Sequence, residues 1–330
     1  MTKRIFVTGG AGFIGSHLVD ALILRGYDVT VVDVVTEANV ANINPRAQVV
    51  NADLTKLETI ARLKTLQPDI LFHFAANASV SRSVKDPMFD FKINYNATAE
   101  LLDMASKIGV DLFVFASTGG GLSSEYTLLP TPEHAIGKPL SPYAIHKLAS
   151  EQLGEFYRLE KGVPQFIALR FANVYGPRQT VTQGEANVIA TFADRMVKNL
   201  PTNINGTGRQ TRDYVYVDDV VEACLNVLDR PHVIGPINIG SGTEMSLWSV
   251  HRMTASYLGY TEEPVMCPAL SGEPMRSCID VSRARALLDW KPRTSFATGI
   301  AKTIEWHLTK HAQRNALNRS KRDKVPVDAV

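Results

Sequence analysis

Ile5-Phe6-Val7-Thr8-Gly9-Gly10-Ala11-Gly12-Phe13-Ile14-Gly15 is the stretch whose reading decides the fold. An apolar run too short for a helix leads into closely spaced glycines, and an apolar-periodic segment over 12–25 follows them. A strand, a glycine loop of the form G-x-G-x-x-G and a helix in that order make a dinucleotide-binding turn. Gly9 and Gly10 permit the tight turn, Gly12 lets the backbone approach a pyrophosphate, and Gly15 lets helix and strand pack closely. Phe13 and Ile14 open the helix, whose free N–H groups and partial positive charge suit phosphates. The plainer alternative is an ordinary strand-to-helix turn.

Outward from this loop, short apolar runs alternate with helical patterns. Strands are expected at 4–7, 28–32, 48–51, 70–74, 112–116 and 165–170. Helices are expected at 12–25, 57–66, 87–108 and 142–160. That alternation predicts an α/β fold, a Rossmann-type doubly wound parallel sheet. After Phe171 the pattern is mixed, with helices at 187–198, 218–228 and 247–258 and one strand at 237–239. The expected organisation is a dinucleotide-binding domain over 1–170 and a smaller, interleaved α/β substrate lobe over 171–310, some of whose segments return to the first domain. A polar, basic tail over 311–330 is expected to be a frayed helix and then disordered.

Asp33 closes the second strand. A carboxylate there accepts hydrogen bonds from the adenosine ribose and repels the extra phosphate of NADP, so NAD is the expected cofactor. Asp53-Leu54 after the third strand could frame the adenine; a helix-capping Asp is an equal alternative.

The 330 residues are 45% hydrophobic and 21% charged, with a formal net charge of +2. A full globular core is expected, and a nucleic-acid partner is not. No run of 18 apolar residues suggests a membrane span, and the first strand leaves no room for a signal peptide. Cys224, Cys267 and Cys278 lack a metal-type spacing and read as reduced packing residues of a cytoplasmic protein; no metal is expected.

Tyr143 and Lys147 lie four residues apart on an expected helix and so share a face. A free phenol is too weak a base at neutral pH. A nearby ammonium and a positive nicotinamide ring would both favour the phenolate and lower its pKa. Ser141-Pro142 at the helix start and the hydroxyl pair Ser117-Thr118 at the end of the fifth strand support a catalytic reading over a solvated surface pair. Carboxyl ends of strands are where such sheets bind ligands.

With these motifs the chain resembles the extended short-chain dehydrogenase/reductase family, and within it the nucleotide-sugar epimerases of the UDP-glucose 4-epimerase type. The resemblance covers residues 2 to about 305. Beyond the motifs above it rests on His73-Phe74-Ala75-Ala76, Asn94, Arg170-Phe171-Ala172-Asn173-Val174-Tyr175-Gly176-Pro177 and Arg212-Asp213-Tyr214-Val215-Tyr216-Val217-Asp218-Asp219. It implies NAD held mainly by the first lobe, with Ala75, Ala76 and Asn94 around it, and a nucleoside-diphosphate sugar held mainly by the second. Asn173 and Asn187 would touch that substrate and Arg212 would grip its diphosphate. Tyr143 would take the proton of the sugar 4-hydroxyl, with Thr118 as its hydroxyl partner, and the 4-keto sugar would rotate before reduction on the other face. A homodimer through helices near 88–108 and 142–160 is also implied.

The chain departs from the pattern in places. Ser117-Thr118 is followed by Gly119-Gly120-Gly121-Leu122-Ser123-Ser124, as in one epimerase subgroup. Leu270-Ser271-Gly272-Glu273 lacks the arginine many relatives place there, and Arg276 is the expected substitute. Val34-Val35 follows Asp33, where many relatives have Asn-Leu. Ser277 is small where an aromatic in other 4-epimerases excludes N-acetyl hexosamines, so a bulkier C2 group is expected to fit. The alternatives are a nucleotide-sugar 4,6-dehydratase or uronate decarboxylase, which needs an acid that Gly119-Gly120 does not supply, a net dehydrogenase, and a non-catalytic NAD(P)-sensing relative.

Overall fold

In a computed structural model of the chain, the structure describes residues 3–123, 128–181, 187–269 and 274–322, with side chains to 316. The main sheet is built from β1 (Arg4–Thr8), β2 (Asp28–Asp33), β3 (Gln48–Asn51), β4 (Ile70–His73), β5 (Leu112–Thr118), β6 (Gln165–Phe171) and β10 (Gly235–Ile239). Their order is β10-β6-β5-β4-β1-β2-β3, and every pairing is parallel. The order reverses between β1 and β4, so the ligand crevice belongs outside the carboxyl ends of those two strands.

Helices cover both faces. α1 (Phe13–Leu24) and α8 (Val217–Leu228) pack on one, burying Leu18, Leu22 and Val220; α2 (Leu57–Leu66) and α5 (Ala97–Ile108) pack on the other, burying Leu63, Leu101 and Leu102. α6 (Pro142–Glu160) leads into β6. Buried on both faces, the central strands read as continuous apolar runs.

After β6 the chain builds β7 (Asn173–Tyr175), α7 (Val188–Val197), β8 (Asn203–Asn205) and β9 (Thr211–Tyr216). It then returns through α8 to add β10 beside β6. β11 (Glu244–Ser246), α9 (Leu247–Leu258), β12 (Val265–Cys267), α10 (Ser282–Leu288) and α11 (Phe296–Arg322) complete the chain. The smaller sheets are β11-β9-β7 and β12-β8.

Several expectations change. The segment 87–108 is not one regular helix: α4 (Pro87–Phe91) and α5 are joined by a π-helical turn, Lys92–Asn96, which sets Asn94 inward. Such single π-turns recur at functional sites. A short helix before it, α3 (Val80–Lys85), has Ser79 as its cap, and the sequence pattern did not reveal it. At the C-terminal end α11 runs on to Arg322, and 323–330, where the tail was expected to be disordered, lie outside the described residues. No helix of the described residues is long and apolar enough to cross a membrane.

His73 ties the sheet together at the end of β4. Its Nδ1 and Nε2 lie 2.7 and 2.9 Å from the hydroxyls of Thr8 and Thr98. Burial, and then the charge of Lys147, push its pKa down to about 3. The unfolded chain therefore binds a proton here that the folded chain refuses, from the ordinary imidazole range downward. The stability involved is present above about pH 6.5 and is lost as pH falls toward 3. We expect calorimetric Tm to fall through this window. His73→Asn should lower Tm at pH 8 yet flatten the slope, leaving the shares of His17, His251 and His307, each pulled down by burial.

Candidate active site

Three segments meet at the carboxyl edge of the sheet. β5 ends in Ser117-Thr118, and consecutive strand residues face opposite sides. Ser117 donates its hydroxyl to Glu151, which is buried in an ion pair with Arg170 at 2.6 Å. Thr118 faces the other way, toward Tyr143, whose ionised form its hydroxyl favours, while its Oγ1 accepts from the Gly121 N–H at 3.0 Å. Of the expected pair, strand alternation thus turns Ser117 to the Glu151–Arg170 ion pair and leaves Thr118 on the side of Tyr143.

α6 starts on the Ser141 hydroxyl, which accepts from the Ala144 N–H at 3.3 Å, with Pro142 in the first turn. Tyr143 is thereby placed on the first turn, its own N–H donating to Ser83 Oγ at 3.2 Å. Lys147, one turn later and 2% exposed, donates from Nζ to the Ala116 carbonyl at 2.8 Å. The ammonium lies 4.6 Å from the Phe115 ring centre and 5.9 Å from that of Tyr143.

Burial pushes Tyr143 up to about 12; the neighbouring Thr118 hydroxyl opposes this and the charge of Asp90 adds to it. Burial also pulls Lys147 down to about 8, against the opposing charges of Asp90 and Glu151. Desolvation outweighs pairing because both groups lie under protein rather than water.

The glycine loop sits in the crevice between β1 and β4. Gly9 has φ +70°, and a Cβ there would lie 2.6 Å from the Ala75 nitrogen. A Cβ on Gly15 would lie 2.1 Å from the Gly9 carbonyl oxygen. Gly12 caps α1 with no side-chain hydrogen bond, which leaves the first-turn N–H groups, from Phe13 and Ile14 on, for an anionic ligand. Asp33 lies at the end of β2, and its Oδ2 accepts from the Ala11 N–H at 2.9 Å. Burial pushes this carboxyl up, against bonds from Ala11, Val34 and Gly12. An uncapped helix start beside a carboxylate suits a pyrophosphate with a ribose diol next to it, the donor and acceptor set of NAD.

Ala75 is pinned through its N–H to Thr8 Oγ1 at 3.3 Å, and Ala76 lines a cleft of about 340 Å³ with Asn77, Ser79, Arg82, Phe89 and Thr180. Asn94 does not face that cleft. Its amide is spent on both backbone groups of Asn77 and on Asp90, one layer behind. Asn77 is the residue at the cleft, and sequence reasoning missed it, because its role depends on the π-turn. Asp53 is exposed and closes a turn by accepting from the Thr55 N–H at 2.9 Å; Leu54 beside it is buried. Asp53 does not cap α2, whose N-cap is Lys56.

On the second lobe, Asn173 donates to the Asp213 carbonyl at 3.3 Å and faces Gly120. Asn187 caps α7: its oxygen accepts from the Ile189 N–H and its nitrogen donates to the Val174 carbonyl. Each end of that amide keeps capacity beyond these bonds, a second N–H and a second lone pair. Arg212 donates to the carbonyls of Thr211 and Pro274, each at 2.8 Å. Arg276 is exposed and paired with Glu244, whose neighbour across the sheet is Asp213. The small β9–β11 sheet thus gathers both arginines, although the pairing with Glu244 offsets the charge Arg276 was expected to lend. Ser277 is buried, its hydroxyl 2.7 Å from that of Ser123. Ser124 and Leu270-Ser271-Gly272-Glu273 lie outside the described residues. Among the described residues no group of three or more His, Cys, Asp and Glu could hold a metal ion.

Comparison with known proteins follows this geometry. Residues 5–240 match the model of the NAD dependent epimerase/dehydratase family. The chain is 40% identical to a UDP-glucose 4-epimerase of Thermotoga maritima solved with UDP-glucose, covering 95% of this chain and 99% of that one, with a TM-score of 0.88. It is 36% identical to the Thermus thermophilus UDP-glucose 4-epimerase solved with NAD, covering 92% and 98%, with a TM-score of 0.85. It is also 31% identical to UDP-glucuronic acid decarboxylase 1 of Arabidopsis thaliana, over 91% of this chain and 69% of the relative. A glycine cradle, a Tyr–Lys pair and a parallel sheet, matched over this length, make the chain a member of the NAD dependent epimerase/dehydratase family.

Proposed function

We propose that this protein epimerises a nucleoside-diphosphate sugar, at C4 of a UDP-hexose, through a transient 4-keto sugar and with NAD as resident cofactor. The observation that carries the reading is the placement of Tyr143 and Lys147 on one face of α6, with the Thr118 hydroxyl beside Tyr143, at the same carboxyl edge of the sheet as the glycine cradle. NAD, when bound, supplies the hydride acceptor and donor and a positive ring. Tyr143 receives the proton of the sugar hydroxyl, steadied by Thr118. Lys147 is anchored on Ala116 and supplies a buried positive charge on the same helix face. Arg212, with Arg276 nearby, holds the diphosphate end from the β9–β11 sheet, so the sugar can turn while its nucleotide stays.

Gly119-Gly120 beside Thr118 places no acid where a dehydratase or decarboxylase would need one. Ser277 and Gly120 make a wall of small residues, since the atom nearest a Cβ on Gly120 is Ser277 Oγ at 3.7 Å. The reading therefore includes N-acetylated hexoses. The test is incubation with UDP-glucose, UDP-N-acetylglucosamine and UDP-glucuronic acid, with products identified by NMR and mass spectrometry. Inversion at C4 with unchanged mass is expected; loss of water or carbon dioxide overturns the reading. We further take the protein to be a cytoplasmic homodimer. Exposed Met88 on α4 and exposed Ile145, Phe156 and Leu159 on α6 support a contact there, and sedimentation should show a dimer.

A further inference from the structure

Behind the Tyr143–Lys147 pair lies a buried acid that the reaction as described does not use. Asp90, on α4, is fully buried. One oxygen accepts from the side-chain amides of Asn77 and Asn94 at 2.7 and 2.8 Å. The other lies 2.6 Å from Nδ1 of His146, whose side chain is 16% exposed. A carboxylate only accepts, so Nδ1 carries the proton of that bond. No arginine or lysine pairs with Asp90 among the described residues; the ring of His146 is its partner there. Burying an acid with so little cationic support is costly, and the amide network around it is closed on itself, Asn77 and Asn94 also exchanging bonds with one another.

We propose that Asp90, held by Asn77, Asn94 and His146, is a positioning residue that sets the working charge state of Tyr143 and Lys147 from behind. The proposal rests on the catalytic reading of that pair. The charge of Asp90 acts on both members, favouring the neutral phenol and the charged ammonium. Other ionisable groups on the packed elements are placed differently. Arg82 and Lys85 on α3 and Lys92 in the π-turn are exposed and screened by water, and Tyr95 stacks on Phe91. On α6 itself, Glu151 is spent on Arg170.

Asp90→Asn is a clean removal of the charge. Its oxygen can face the two asparagine amides, and its nitrogen can donate to His146 in the other tautomer. Both limbs of the kcat pH profile should then move to lower pH by about one unit, because phenol and ammonium each lose the same negative neighbour. His146→Ala should move the acid limb the opposite way, since it leaves the carboxylate with one donor fewer, and it should have no such effect in the Asp90→Asn background. KM for the nucleotide sugar should stay unchanged in both variants. A folded Asp90→Asn protein with a wild-type profile overturns the proposal; if that variant does not fold, an unshifted profile in His146→Ala overturns it instead. Tyr143→Phe separates the two levels. If it remains active, the catalytic reading fails; if it is inactive while the profiles do not shift, only the role of Asp90 fails.

Discussion

Tyr143→Phe should reduce kcat by about 10²–10⁴-fold, the usual scale for removing a positioned general base. The ring keeps its volume and its place on the first turn of α6, so fold and NAD affinity should be unchanged. The loss should fall on kcat rather than KM, because the hydroxyl acts on the proton in transit. Burial pushes this phenol up to about 12 in the protein alone, so wild-type activity should carry an acid limb that the variant lacks. Steady-state kinetics with UDP-glucose, beside a thermal melt and NAD titration of the variant, check all of this. A folded, NAD-loaded variant with more than a tenth of wild-type turnover would falsify the assignment of the base.

Gly15→Ala should remove cofactor binding rather than chemistry. The new methyl carbon would sit 2.1 Å from the Gly9 carbonyl oxygen and 3.0 Å from the Gly10 Cα, backbone atoms with no side chain to swing aside. Either the loop or the start of α1 must move. Overpacking of this kind costs about 1–3 kcal/mol, and the displaced N–H groups are those proposed to hold the pyrophosphate. NAD affinity by calorimetric titration should fall by roughly 10–100-fold or more. Gly120→Ala is the control: the nearest atoms to its added carbon are 3.7 and 3.8 Å away, so NAD affinity should be kept. Equal losses in both variants would show that the glycine loop is not the cofactor's seat.

Much of the first half was legible in the sequence. Buried parallel strands are continuous apolar runs, and the helices 57–66, 142–160 and 247–258 have the bounds the pattern predicts. Their periodicity reports one buried face, which local composition encodes. α3, the π-turn and the short strands of the second lobe were not legible. β7, β8, β11 and β12 have three residues each, too few for a period to show, and they exist because a neighbouring strand accepts them. The site divides in the same way. Tyr143, Lys147 and the glycine loop stand out by spacing, whereas Asn77, Asp90 and His146 are brought together only by the packing of α4 on α6.

From residue order alone, then, came the cofactor turn, the doubly wound sheet and the helix that carries the phenol, because glycine spacing and the alternation of apolar runs with helical periods mark each of them locally. Folding in three dimensions decided which hydroxyl of Ser117-Thr118 lies beside Tyr143, that Asn187 caps α7 and Arg276 pairs with Glu244, and that burial pushes the phenol's pKa up in the protein alone. Strand facing, ion pairing and burial are set by residues far away in the sequence, and no local pattern contains them.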